Sequence, residues 1–480
     1  MTYLIIKYFI YLLPFVFILT KNKITIFFCF LLAFISFFKI YFILFEGFDL
    51  TEGIYLSILE TNLDEVMNIK LIYFVIIAVS IISAILIITF IINLKNRIGV
   101  KKTHIIRLLS VLFIIALLLK PLIFSVNRGN IFRNFTESPS GFFLESVREP
   151  LGTFLFFTAY ALEKNKYSNT EEDKALNKNI TGFREPSSGL IVFIMGESSW
   201  KKRYSVYGYE KNTTKNISEI FLKNEKGCVL NAFSAATVTR DSIPLTFSFA
   251  KPDNYNPLTK ENSVFELARK QGYSTYWIGT QPLFGLYDSK YGYLTKGMFN
   301  ENIIKSSDDN DIPSHLDDVL KRNRDMKLIT LHLKGSHLIY NNYDQIDKEQ
   351  LKNTDEYDLT IHKTDRVINN IFNVLNKNNV PFVLIYTSDH GEVVNKGHGL
   401  INGRSQIEIP LLAYSNDKYN VCESYTKLEN KNSEITAQSN KLILLDMIGV
   451  SLDSDFIKKE SNDENMILGN GDIINYKNFN

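Results

Sequence analysis

Four long apolar runs within the first 125 residues constrain this chain more than any other feature. They are 4–20 (LIIKYFIYLLPFVFILT), 24–45 (ITIFFCFLLAFISFFKIYFILF), 71–93 (LIYFVIIAVSIISAILIITFIIN) and 105–125 (IIRLLSVLFIIALLLKPLIFS). Each approaches or exceeds the ~18–20 residues that a helix needs to cross a hydrocarbon layer ~30 Å thick. The first carries Lys7 and Pro14 and is the weakest of the four. It has no small-residue cleavage site and another run follows at once, so it reads as a span rather than a signal peptide.

Loop charge orients the set. Lys21 and Lys23 separate the first two runs, and Lys95, Arg97, Lys101 and Lys102 crowd the loop before the fourth. The middle loop is acidic, with Glu46, Asp49, Glu52, Glu60, Asp64 and Glu65. The positive-inside rule puts the basic loops in the cytoplasm. The acidic loop, both termini and everything after about residue 126 then face outward.

Composition closes off other classes. Lys+Arg number 53 against 51 Asp+Glu, a net charge of +2, which excludes a nucleic-acid binder held by bulk positive charge. Cys29, Cys228 and Cys422 build no disulfide scaffold and no zinc-finger spacing, and the sequence leaves a Cys228–Cys422 pair open.

The expected organisation is a transmembrane domain over 1–126, an interfacial helix and bridge over 127–188, and an α/β domain over 189–480. Within the middle part, 141–161 is apolar but carries Glu145, Arg148 and Glu149, which suits a helix on the outer membrane surface. Residues 163–188 are polar and read as a bridge. Beyond Gly189, short apolar runs at 190–195, 273–278, 327–333 and 382–387 alternate with helical spacing at 263–271 and 357–377. Such alternation predicts a mainly parallel sheet, whose strand ends gather ligand-binding residues.

Three of these ends carry chemistry. Gly196-Glu197-Ser198-Ser199 follows the first. Ser388-Asp389-His390-Gly391-Glu392 follows the last, with His398 just beyond. His332 and His337 lie at and after the third. Two carboxylates and an imidazole within four residues suit a borderline divalent ion, zinc above others. His104, His315 and His362 lack such company and read as surface or packing residues. A nucleophile is expected in 232–249, where Thr237, Thr239 and Ser242 compete ahead of a helix beginning near Ile243-Pro244. A hydroxyl at a helix N-terminus meets the free N–H groups that suit a phosphate.

Gly196-Glu197-Ser198, Tyr207-Gly208-Tyr209 with Asn212-Thr213-Thr214, Thr239 five residues before Pro244, and Ser388-Asp389-His390-Gly391-Glu392 occur in one order. That order resembles the membrane-anchored phosphoethanolamine transferases of Gram-negative bacteria, in the alkaline phosphatase/sulfatase superfamily. Thr61, Asn62 and Glu65 resemble a Thr-Asn-x-x-Glu motif of that family. The resemblance implies an N-terminal transmembrane helical bundle followed by an alkaline-phosphatase-like α/β domain. It also implies that Glu197, Asp389, His390 and the Thr239 oxygen bind zinc, one ion or two, and that Thr239 takes phosphoethanolamine covalently. His332, His337, Glu392 and His398 match positions that hold the phosphate or a second metal, and Thr61, Asn62 and Glu65 match the lipid-facing side of the substrate site.

The implied donor is phosphatidylethanolamine and the implied acceptor a sugar hydroxyl of lipopolysaccharide or a periplasmic glycan. The implied place is the bacterial inner membrane, with the catalytic domain in the periplasm. Two features set the chain apart. Lipid A-modifying members carry a disulfide where this chain has Ala235 and Leu245, and the family has five spans against four here. Thr239-Arg240-Asp241-Ser242-Ile243-Pro244 and Trp277-Ile278-Gly279-Thr280-Gln281 look more like the cysteine-poor branch, which decorates core sugars or glucans. A glycerol-phosphate transferase of the lipoteichoic acid synthase type, and a phosphodiesterase or sulfatase, are the alternative activities.

Overall fold

A computed structural model describes residues 10–12, 14–15, 23–47, 49–60, 71–97, 104–115, 139–147, 149–163, 174–281, 290–295, 301–303, 308–322 and 325–480. The second and third apolar runs are single helices, α1 (Lys23–Glu46) and α2 (Leu71–Arg97). Among the described residues these two are long and apolar enough to cross a membrane. Cys29, Ala33, Ser36 and Ile40 make one buried stripe on α1; Ile76, Ser80, Ala84, Ile88 and Ile91 make another on α2. Ile82, Leu86 and Phe90 on the outer side of α2 are exposed. A helix apolar on every side is what a lipid environment selects. The fourth run is helical over 104–115; its remainder, and most of 4–20, lie outside the described residues.

The apolar stretch 141–161 is not one helix. It is split between α3 (Pro139–Ser146) and α4 (Leu151–Glu163). Pro150 has no amide hydrogen for a continuing helix and disfavours helical backbone at Glu149. Glu149 is paired at this break: it accepts from Lys39 Nζ at 2.8 Å and from Thr153 Oγ1 at 2.5 Å.

A second compact unit takes in residues 167–480. Its sheet comprises β1 (Leu190–Gly196), β2 (Gly227–Phe233), β3 (Ser274–Gly279), β4 (Glu301–Ile303), β5 (Lys327–His332), β6 (Val383–Ser388), β7 (Glu408–Ser415) and β8 (Ile435–Thr436). Their order is β4-β3-β5-β1-β6-β7-β2-β8. All neighbours are parallel except β7, which runs against both β6 and β2. The four apolar runs expected as strands are β1, β3, β5 and β6. β2 and β7 were hidden because Gly227, Asn231 and Pro410 interrupt their apolar pattern.

Helices cover both faces. Ile191, Phe193 and Met195 of β1 pack with Ile243 and Phe247 of α5 (Thr239–Phe247) and Val264 and Phe265 of α6 (Val264–Lys270). Val192 and Ile194 pack on the other face with Leu316 of α7 (Ile312–Arg322) and Ile361 and Ile368 of α8 (Glu356–Lys377). Residues 174–188, expected as part of a bridge, belong to this unit. The Ala175 amide donates to Lys260 O at 2.9 Å, and Ile180–Phe183 pairs antiparallel with Val450–Leu452. Cys228 and Cys422 are joined by a disulfide, which settles the pairing that the sequence left open.

Candidate metal centre and nucleophile

Register places the chemistry. Met195 on β1 is level with His332 on β5 and Thr387 on β6, and Gly279 on β3 is also level with His332. Four adjacent parallel strands therefore end together, and Glu197, Gln281, His332 and Asp389 leave the sheet along one edge. Just past β1, Ser198 adopts a φ of 55°, a left-handed conformation uncommon for a side-chain-bearing residue. Tyr357 holds it there: its hydroxyl donates to Ser198 O at 2.7 Å and accepts from the Trp200 amide at 2.8 Å.

Asp389 is presented by three donors. Its Oδ1 accepts from the amides of Ser198 (3.1 Å) and His390 (2.7 Å) and from Ser388 Oγ (3.2 Å). Its Oδ2 is buried with no hydrogen-bond partner, 3.2 Å from His390 Nε2. His390 Nδ1 donates to the Gly391 carbonyl at 2.8 Å, so Nε2 is the nitrogen that faces Asp389 and Glu197. Glu197 Oε1 is 3.3 Å from that Nε2, while Oε2 accepts from Gln281 Nε2 at 3.1 Å. Ligand atoms of Glu197, Asp389 and His390 all lie within 4.8 Å of one another.

All three side chains are buried, so their charges are strongly felt. Burial, with Glu197 alongside, pushes the Asp389 carboxyl up to about 6. Burial works against a charged His390, but Asp389 and Glu197 carry it up to about 10. Burial is the larger cause for Asp389, whereas the rise of His390 reflects the two carboxylates beside it, charge that a divalent cation would neutralise. The orphaned Oδ2 and the two-oxygen, one-nitrogen donor set fit zinc.

Thr239 completes this cluster. Its Oγ1 is 3.3 Å from each Glu197 carboxylate oxygen and 3.2 Å from His390 Nε2. It is the first residue of α5, because the Val238 carbonyl already accepts from the amides of Asp241 and Ser242. The helix thus begins at Thr239 rather than near Ile243-Pro244, and Pro244 sits inside it. Thr237 and Ser242 are fully buried, and the Ser242 hydroxyl, like that of Ser234, donates to Asp389 O. Thr239 remains partly exposed.

A second group adjoins the first. Buried Glu392 accepts from Tyr340 Oη at 3.1 Å and contacts His398 Nδ1 at 3.0 Å, and the His390 and His398 rings are 4.2 Å apart. Burial pushes Glu392 up to about 8 and, with His390 nearby, holds His398 well below its usual range. His337 is half-buried with its ring 6.0 Å from that of His398. His332 Nδ1 meets Tyr291 Oη at 3.0 Å, and its Nε2, 3.8 Å from Glu197, has no hydrogen-bond partner. Thr61, Asn62 and Glu65 lie outside the described residues. His362 is a packing residue, bonded to Asp347 at 2.7 Å. Gln281, whose amide reaches Glu197, carries no chemical signal in the sequence, where it is a lone Gln after a strand.

Residues 190–442 match the sulfatase family. The phosphoethanolamine transferase EptA of Helicobacter pylori is 28% identical over 306 residues, covering 56% of this chain and 54% of that protein. The chain spans about half the length of the curated relatives it matches. Among solved structures, the integral membrane lipooligosaccharide phosphoethanolamine transferase A of Neisseria meningitidis covers 90% of this chain and 85% of its own, with a TM-score of 0.62 at 18% identity. The zinc complex of the C-terminal periplasmic domain of Escherichia coli EptC covers 64% of this chain and 98% of its own, with a TM-score of 0.55 at 20% identity. The likeness is one of fold, an N-terminal helical part followed by an alkaline-phosphatase-like α/β domain with a mostly parallel sheet.

Proposed function

We propose that this chain, which belongs to the sulfatase family, transfers phosphoethanolamine from phosphatidylethanolamine to a sugar hydroxyl of lipopolysaccharide or another envelope glycan. The single observation that carries this reading is Thr239: a partly exposed hydroxyl at a helix N-terminus, within 3.3 Å of Glu197 and His390. A relative named a phosphoethanolamine transferase supports the choice of head group.

Thr239, Glu197, Asp389 and His390 would hold a zinc ion. When bound, it lowers the cost of removing the Thr239 proton and offsets charge developing on oxygen. In the first step, Thr239 Oγ1, its proton lost to solvent, forms a bond to phosphorus while the bond from phosphorus to the glyceride oxygen breaks. The diacylglycerol oxygen leaves with a proton, for which half-buried His337 is the candidate donor. Buried His332 and the Glu392–His398 pair are assigned to holding phosphate oxygens or a second ion. In the second step, an acceptor hydroxyl oxygen bonds to phosphorus as its proton passes to His337, the bond to Thr239 breaks, and Thr239 is reprotonated from solvent. Thr61, Asn62 and Glu65 are assigned to the lipid-facing side of the site.

The setting is proposed as the bacterial inner membrane. Residues 1–126 form its membrane part and α1 and α2 supply two spans; the periplasmic catalytic domain takes in 174–480, including the segment 174–188. The Cys228–Cys422 disulfide supports an oxidising compartment for that domain. To test the activity, the purified full chain is incubated in vesicles containing phosphatidylethanolamine without acceptor, then examined by peptide mass spectrometry. Phosphoethanolamine on Thr239, absent from Thr239→Ala, is the expected result. Glycerol phosphate there would favour the lipoteichoic-acid-type alternative, and an unmodified Thr239 would sink covalent transfer.

A further inference from the structure

We infer that Asp309 is a positioning residue for the metal centre, holding Glu197 and the His337 loop in their working places from behind. The catalytic part of this inference rests on the transfer reaction proposed above; the metal-binding part does not.

Asp309 is fully buried, and its two carboxylate oxygens collect four donors. Oδ1 accepts from Thr280 Oγ1 at 2.5 Å and the Lys334 amide at 2.8 Å. Oδ2 accepts from the Gly335 amide at 3.0 Å and Asn342 Nδ2 at 2.7 Å. Burying a carboxylate is costly, and four hydrogen bonds, two of them from backbone, are what offset the cost. No neutral side chain substitutes. Asparagine has one acceptor oxygen and would aim an N–H₂ group at donors already there.

Every donor belongs to a segment that touches the candidate site. Thr280 follows β3, and its neighbour Gln281 donates to Glu197 Oε2 at 3.1 Å and to Leu333 O at 3.1 Å. Gly335 precedes Ser336, whose amide donates to Glu197 O at 3.0 Å. His337 comes next, and Tyr340 on the same loop donates to Glu392. Asn342 closes the loop on itself by also donating to Gly335 O at 2.9 Å. Two routes therefore run from Asp309 to Glu197, one to its carboxylate and one to its backbone, and a third runs to His337. Asp309 touches no reacting atom; it acts through these residues.

The test uses the full chain in detergent, stripped of metal. Zinc affinity is measured by competition with a chelator, alongside kcat and KM for head-group transfer and the unfolding temperature. Asp309→Asn is expected to weaken zinc about 10–100-fold and lower kcat to a similar degree, as loss of an outer partner does. KM for the donor should stay within about threefold, since no contact to lipid is removed. Thr280→Val, which deletes one of the four donors, should shift zinc affinity and kcat in the same direction by less, and it decides the matter if Asp309→Asn does not fold. Zinc affinity and kcat unchanged in a folded Asp309→Asn, or losses that only track the unfolded fraction, would overturn the inference. Weakened zinc in a protein whose parent transfers no head group would uphold the positioning role while removing the transferase reading.

Discussion

Gly335 lies directly against Glu197: a Cβ added at Gly335 would stand 2.8 Å from the Glu197 carbonyl oxygen and 2.9 Å from its amide nitrogen. Its φ of 51° also lies where side chains are disfavoured. Both obstacles are backbone, so neither can swing aside. Gly335→Ala should cost roughly 1–3 kcal/mol of stability. Because the yielding atoms belong to Glu197, it should also weaken zinc; metal content and unfolding temperature measured on one preparation check both.

Asp389→Asn offers a cleaner separation of fold from metal. The amide keeps an acceptor oxygen for the three donors now on Oδ1, while the orphaned Oδ2 becomes N–H₂, which cannot ligate a cation. The expected outcome is a folded protein whose zinc affinity has fallen at least about tenfold. Unchanged zinc on elemental analysis would remove Asp389 from the ligand set.

The disulfide predicts a stability effect without a catalytic one. Cys228 lies on β2 and Cys422 is separated from it by 194 residues, so the bond closes a long loop. On a chain-entropy view such closure contributes about 5 kcal/mol, an upper figure where the unfolded chain retains structure. Paired Cys228→Ser and Cys422→Ser should lower the unfolding temperature yet leave transfer per folded molecule unchanged. A large fall in kcat at a temperature where the variant is fully folded would contradict this.

How much the sequence discloses depends on where each feature's information sits. β1, β3, β5 and β6 are buried on both faces, so unbroken apolar runs announce them, and the Glu197 and Asp389-His390 motifs follow at their ends. By residue type Thr237, Thr239 and Ser242 are alike; the motif resemblance picks Thr239, and its partial exposure beside two buried hydroxyls supports that choice. Pro244 conceals the true start of α5, because it looks like a first-turn proline although the Val238 carbonyl already accepts the first helical hydrogen bonds. Asp309 has no sequence signature at all. Its role is made by four donors from Thr280, Lys334, Gly335 and Asn342, which only the fold brings together.

Acid stability tests the packing behind the site. Buried Asp347 accepts from His362 Nδ1 at 2.7 Å and from Arg366 Nε and Nη2, each at 2.8 Å. Burial alone would raise it, but His362 and Arg366 hold its carboxyl at about 2, below the ordinary 3.8. A depressed carboxyl stabilises the fold above about pH 4, and that contribution drains away as pH falls toward 2. The shift corresponds to roughly 2 kcal/mol. Asp347→Asn should therefore unfold at a lower temperature than the parent at pH 7, with the gap closing as both are titrated from pH 5 toward 2. A gap that stays constant across this range would mean that the Asp347 charge contributes nothing and that the variant loses only packing.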